Sequence, residues 1–146
     1  MKWIFVLYAL LAGGGLSLQA GLNLRLRQSL GDPVMAALVS FAVGTIGLVA
    51  FGLASRPLPS MAMVASTPWW AWTGGLLGAF FVFSTIVLAA QLGAATMMAW
   101  LLAGQFIVAL ILDHYGLISF QVHEISWPRV LGVALLIAGA VLINKY

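Results

Sequence analysis

Charge is what this sequence has least of. Among its 146 residues stand six Lys or Arg and three Asp or Glu, 6% of the chain, where a soluble domain carries about a quarter. Nine charged side chains cannot wet the surface of a globular protein, so a soluble fold is excluded. Cysteine is absent, which excludes a disulfide-stapled secreted domain and any thiolate metal or redox centre. His114 and His123 have no ligand partners at metal-binding spacing. No phosphate loop, dinucleotide fingerprint or nucleophile motif interrupts the chain, so an enzyme, a cofactor and a metal ion are not expected. The pI of 9.8 rests on a net charge of only +3 with no basic cluster, and it is no sign of nucleic-acid binding.

What is present is apolar: 64% of the residues are hydrophobic and the mean hydropathy is +1.13. This composition belongs to an integral membrane protein. The few charges act as punctuation. Residues 3–24 and 33–55 are each uncharged and each long enough for one helix across a hydrocarbon core of about 30 Å, which takes about 20 residues. The uncharged stretch 57–112 has room for two more. A fifth becomes long enough when it starts at Pro128, with Arg129 and Lys145 snorkelling outward. The spacing predicts helices at about 3–23, 34–54, 70–90, 94–112 and 128–144, in a single integral membrane domain covering 1–146. An open sheet could not satisfy its edges in lipid, so the fold class is all-α.

The connections carry turn chemistry. Gly31-Asp32-Pro33 offers Asp32 as an N-cap and Pro33 at the first helical position. Arg56-Pro57-Leu58-Pro59-Ser60 ends the second helix and Ser66-Thr67-Pro68 leads into the third. Trp3, Trp69, Trp70, Trp72 and Trp127 fall where an interfacial aromatic belt belongs. Gln91-Leu92-Gly93-Ala94 is the break between the third and fourth helices, and Tyr115 to Trp127 is the longest polar loop. The opening residues look like a secretory signal peptide, but four further spans make a soluble mature product impossible.

Five spans place the two termini on opposite faces of the membrane. One face collects Lys2, Arg56 and Arg129, the other Arg25, Arg27 and Lys145. Orientation normally follows a Lys/Arg excess, and here the faces balance. Either orientation is set by something else, or chains insert both ways up and pair antiparallel. The second alternative builds, from two copies, the inverted repeat that many transporters carry within one chain.

The helices offer few polar groups. Tyr8, Ala12, Gly15, Gln19 and Asn23 recur at helical spacing on the first, either as a packing seam or as a cavity wall in which Gln19 and Asn23 bind substrate. Gly13-Gly14-Gly15 suggests a close crossing or a flexible point. Ser40, Gly44 and Gly47 read as a seam. Ser84 either bonds a carbonyl one turn back or faces a cavity. Trp100 and Gln105 lie well inside the fourth span, about 140° apart around its axis, and the Trp100 indole N–H needs a partner. Gly132, Ala134, Ala138 and Gly139 read as a packing or dimer face. Proton-driven pumps hold an ionisable relay inside the membrane. Asp113, at the end of the fourth helix, is the best candidate carboxylate for proton coupling, and a solvated helix-end capping region is the simpler reading of it.

Several of these features occur together in one family. Gln19 with Asn23, Ser40-Phe41 before Gly44-Thr45, Trp69-Trp70 before Gly74-Gly75, Leu92-Gly93-Ala94-Ala95 before Gly104-Gln105, and Asp113-His114-Tyr115-Gly116-Leu117 before Arg129, Gly132 and Gly139 resemble the YdcZ-type branch of the drug/metabolite transporter superfamily. The likeness runs over nearly the whole chain. It implies a bacterial inner-membrane protein of five helices, one half of an inverted-repeat transporter fold, working as an antiparallel homodimer among membrane lipids. It further implies a secondary transporter or exporter of small molecules acting by alternating access. Two alternatives remain: a lipid or lipid-linked flippase, and a non-transporting accessory subunit. The small multidrug resistance proteins, more distant relatives, rely on a Glu in the first helix. This chain has Gln19 and Asn23 there, which argues against proton-coupled export of cationic drugs. The cavity candidates are Tyr8, Gln19, Asn23, Ser84, Trp100 and Gln105.

Overall fold

The structure, a computed structural model, describes residues 2–55 and 57–146. Arg56, read above as part of the stop after the second helix and as one of the balancing charges, lies outside the described residues, as does the side chain of Lys2. Among the described residues there is no strand, and five helices are long and apolar enough to cross a membrane: Trp3–Leu30, Pro33–Ser55, Trp69–Leu92, Ala94–Tyr115 and Trp127–Lys145.

Helix α1 (Lys2–Leu30) outruns its expected end by seven residues. The uncharged stretch marked what lipid covers, whereas the helix stops where the backbone can turn. Arg and Gln are good helix formers, so Arg25, Arg27 and Gln28 continue α1. The stop comes at Gly31, whose φ of 76° suits a residue without Cβ. Its N–H closes the helix on the Arg27 carbonyl at 2.8 Å. Arg25 and Arg27 are thus helical and not loop residues. Asp32 caps α2 (Pro33–Ser55), accepting from the Met35 N–H at 2.8 Å.

The approach to the third span holds a short helix that hydropathy did not mark. In α3 (Met61–Ser66) the Ser60 hydroxyl accepts from the Met63 N–H at 3.3 Å. The third span then opens as a 3-10 turn, Trp69–Thr73, before α4 (Gly74–Leu92). Gly93, at φ 75°, separates α4 from α5 (Ala94–Tyr115). Helix α5 runs three residues past its expected end, so Asp113 and His114 belong to its last turn. A left-handed Gly116 and a 3-10 turn at Leu117–Ser119 lead through the loop to α6 (Trp127–Lys145), with Pro128 in its first turn.

The chain forms two compact units, one ending at Gln91 and the other Leu92–Tyr146. In the first, Ala36 and Ala37 of α2 pack with Val82 and Ile86 of α4, flanked by Leu26, Phe81 and Phe83. Thr85, buried on α4, returns its hydroxyl to the Val82 carbonyl at 2.8 Å. In the second unit α5 packs along α6. Phe5, Leu48, Phe51, Phe80 and Leu135 are among many large apolar side chains left exposed, as expected of surfaces that meet lipid or another chain.

Candidate functional site

Polar groups inside the spans are few enough to be followed one by one. On α1, Gln19, Asn23 and Arg27 succeed one another at four-residue steps and therefore share a face. Gln19 is exposed. Asn23 is 3% exposed, and its amide Nδ2 is buried without a hydrogen-bond partner among the described residues. Burying an amide donor unpaired costs about 1–3 kcal/mol, so most buried polar groups are satisfied and Asn23 stands out. One turn on, half-buried Arg27 donates from Nη1 to the Ile86 carbonyl of α4 at 3.4 Å. Among the described residues no carboxylate pairs with it. Arg25, by contrast, is exposed and donates to Gln28 at 3.3 Å.

In the same unit, α2 and α4 border an open groove of about 480 Å³ lined by Val34, Ala37, Leu38, Phe41, Ala79, Phe80 and Phe83. Its walls are hydrocarbon and aromatic. It can take an apolar chain or ring but has no side chain with which to orient a polar group.

In the second unit the chemistry gathers at the α5–α6 end. The Arg129 guanidinium is ion-paired with the Asp113 carboxylate and donates to the His123 carbonyl at 2.8 Å. The His123 N–H returns to the Asp113 carbonyl at 2.8 Å, and the Ile125 N–H donates to His114 Nδ1 at 3.2 Å. The arrangement fastens the loop 116–126 across the end of α5. A smaller groove of about 320 Å³, lined by Phe106, Leu110, Leu136 and the ion pair, opens beside it.

Of the residues expected to line a cavity, Asn23 is the buried one. Tyr8, Gln19 and Gln105 are exposed and Ser84 is half-buried. The Trp100 indole N–H donates to Asn144 Oδ1 of α6 at 3.4 Å, the partner its place in the span demanded. None of the six lines either groove. Asp113 is engaged with Arg129. Sequence reasoning missed Arg27, taken for a loop charge, and Asn144, a lone amide in the last turn of α6. The four-residue step from Asn23 would have found Arg27 had α1 been extended to its glycine stop.

Comparison with known proteins agrees with this architecture. The family described as "Putative inner membrane exporter, YdcZ" matches residues 4–142. The "Inner membrane protein YdcZ" of Escherichia coli (strain K12) is 33% identical over 139 residues, 94% of this chain and 93% of the relative. No solved structure matches. An all-α chain with five membrane-crossing helices, matched along almost its whole length, belongs to the YdcZ family of inner-membrane exporters.

Proposed function

We propose that this chain is a secondary transporter that exports small molecules across the bacterial inner membrane, acting by alternating access as an antiparallel homodimer inserted in both orientations. The observation that carries the reading is the balance of Lys and Arg: Lys2, Arg56 and Arg129 against Arg25, Arg27 and Lys145. Five spans put these trios on opposite faces, leaving no excess to orient the chain. Two copies related by an axis in the membrane plane recreate the inverted repeat around a central site.

The buried, unpartnered amide of Asn23 supports placing the cavity along α1. Transport over catalysis is favoured by the family and by polar groups that bind and position but do not form a nucleophile–base pair. A second reading, movement of a lipid, draws support from the α2–α4 groove, whose apolar walls suit an acyl chain.

Topology decides the matter. A reporter fused at the C-terminus, and separately in the loop 116–126, is read on both sides of the membrane. Signal from both sides at each position supports dual insertion. A single orientation overturns the self-paired inverted repeat and directs attention to an oppositely oriented partner chain.

A further inference from the structure

Two donors on consecutive turns of α1 lack the same thing. Asn23 presents a buried N–H edge with no acceptor among the described residues. Arg27 presents a half-buried guanidinium whose protein partner is one backbone carbonyl at 3.4 Å, leaving most of its five N–H donors without a protein acceptor. A half-buried cation without counter-charge is unfavourable to the extent that it is desolvated. Among the described residues none supplies that counter-charge: the one ion pair there joins Asp113 to Arg129, Asp32 turns an oxygen to the first turn of α2, and Glu124 is exposed.

A basic residue near a helix C-terminus also complements the helix dipole, but Arg25 meets that need from an exposed position. The dipole does not require Arg27 to be half-buried, nor does it explain the missing acceptor at Asn23. Four residues apart on a helix, the two side chains project from one face about 6 Å apart. One anionic oxygen group can therefore accept from both.

We propose that Asn23 and Arg27 form a binding site for an anionic oxygen group, a carboxylate or phosphate. The inference rests on reading α1 as a cavity wall and names the substrate class: an anion carrying an apolar remainder, for which the neighbouring hydrocarbon surface is suited. Asn23 is its buried member and Arg27 its half-buried one. The same chemistry is presented by a soluble organic anion and by a phospholipid headgroup.

The test is thermal unfolding of the full chain in phosphatidylcholine nanodiscs, titrated to about 10 mM with acetate, benzoate or inorganic phosphate against sodium chloride of equal ionic strength. A separate arm replaces one third of the lipid with phosphatidylglycerol. The expected result is a rise in midpoint of about 3 °C or more with at least one oxyanion. The rise is retained in R25Q, at least half retained in R27K, and lost in R27Q. Asn23→Asp places a carboxylate one turn from Arg27, and it too abolishes the rise without emptying the site of polar groups. A rise confined to the phosphatidylglycerol arm and lost in R27Q assigns the anion to a lipid headgroup. No rise in any arm, or an equal rise in R27Q, overturns the proposal. The assay reads binding irrespective of orientation, and the topology reporters read orientation irrespective of binding, so either reading can fail alone.

Discussion

The Arg129 guanidinium reaches back from the first turn of α6 to the Asp113 carboxylate in the last turn of α5, closing the loop between them. The side chains are 34% and 25% exposed, so the ion pair is partly screened and contributes on the order of 1 kcal/mol. Asp113→Asn should lower the unfolding midpoint by about 2–4 °C. Arg129→Gln should cost more, because it also removes the donor to the His123 carbonyl. Protease cleavage within 117–126 should accelerate in both, and the double variant should cost less than the sum. If Asp113 carries protons, D113N stops transport while R129Q only weakens it. A fastening role makes the R129Q transport defect at least as large as that of D113N.

Gly116 sits inside the same closure. Its φ is +59°, and a Cβ there would lie 2.7 Å from Val122 Cγ2 and 3.4 Å from the Phe120 carbonyl oxygen. Gly93 has a comparable φ of +75° with nothing within 4 Å of a built Cβ. With ψ at 169° Gly93 lies in backbone space that is essentially glycine's own, so Gly93→Ala should cost backbone strain alone, about 1–3 kcal/mol. Gly116→Ala adds a clash with a β-branched side chain and should cost about 3 kcal/mol. A loss of only about 1 kcal/mol in Gly116→Ala, the left-handed penalty by itself, would show that the loop yields freely around Gly116.

These sites mark where the sequence was legible and where it was not. Spans were readable because lipid imposes one rule, a run of apolar residues of fixed length, and α2 and α6 fall within a residue of expectation. Helix ends were less readable, since hydropathy reports the edge of the membrane and not the turn. The displaced end of α1 hid Arg27 from its own helix face. Asp32 was legible as a cap because capping is local. The pairings of Asp113 with Arg129 and Trp100 with Asn144 were not, because they depend on how α5 and α6 cross, which no local spacing encodes. Asn23 was legible as a polar residue on a small-residue face, while its burial belongs to packing.

The Trp100–Asn144 bond joins α5 to α6 across 44 residues of sequence at 3.4 Å. Hydrogen bonds between membrane helices average about 0.6 kcal/mol, and the length of this one places it at or below that. W100F and N144L should each shift stability modestly, and a double-mutant cycle should return a coupling of about 0.5 kcal/mol. A coupling near zero would mean that Trp100 is held by packing alone. In that case loss of transport in W100F would point to contact with cargo.

The last prediction concerns pairing of two copies. Gly132 and Gly139 have nothing within 4 Å of a built Cβ, and both border a groove of about 340 Å³ with Ala99, Leu102 and Leu136. This face of α6 is open enough to receive another helix closely. The chain has no cysteine, so single introduced thiols report contacts without background. An isologous pair has a two-fold axis that brings residue i against residue j and j against i. With that axis in the membrane plane and crossing α6 near its middle, Gly132 of one copy lies opposite Gly139 of the partner subunit. Both positions are about 5 Å along the helix from the axis, at 1.5 Å per residue. Antiparallel pairing on this face therefore predicts that mixing G132C and G139C chains gives an efficient disulfide, while each alone links poorly and L136C links to itself. Parallel pairing predicts the reverse, with G132C and G139C each self-linking and the mixture adding nothing. Absence of any link at all three positions would remove α6 as the interface.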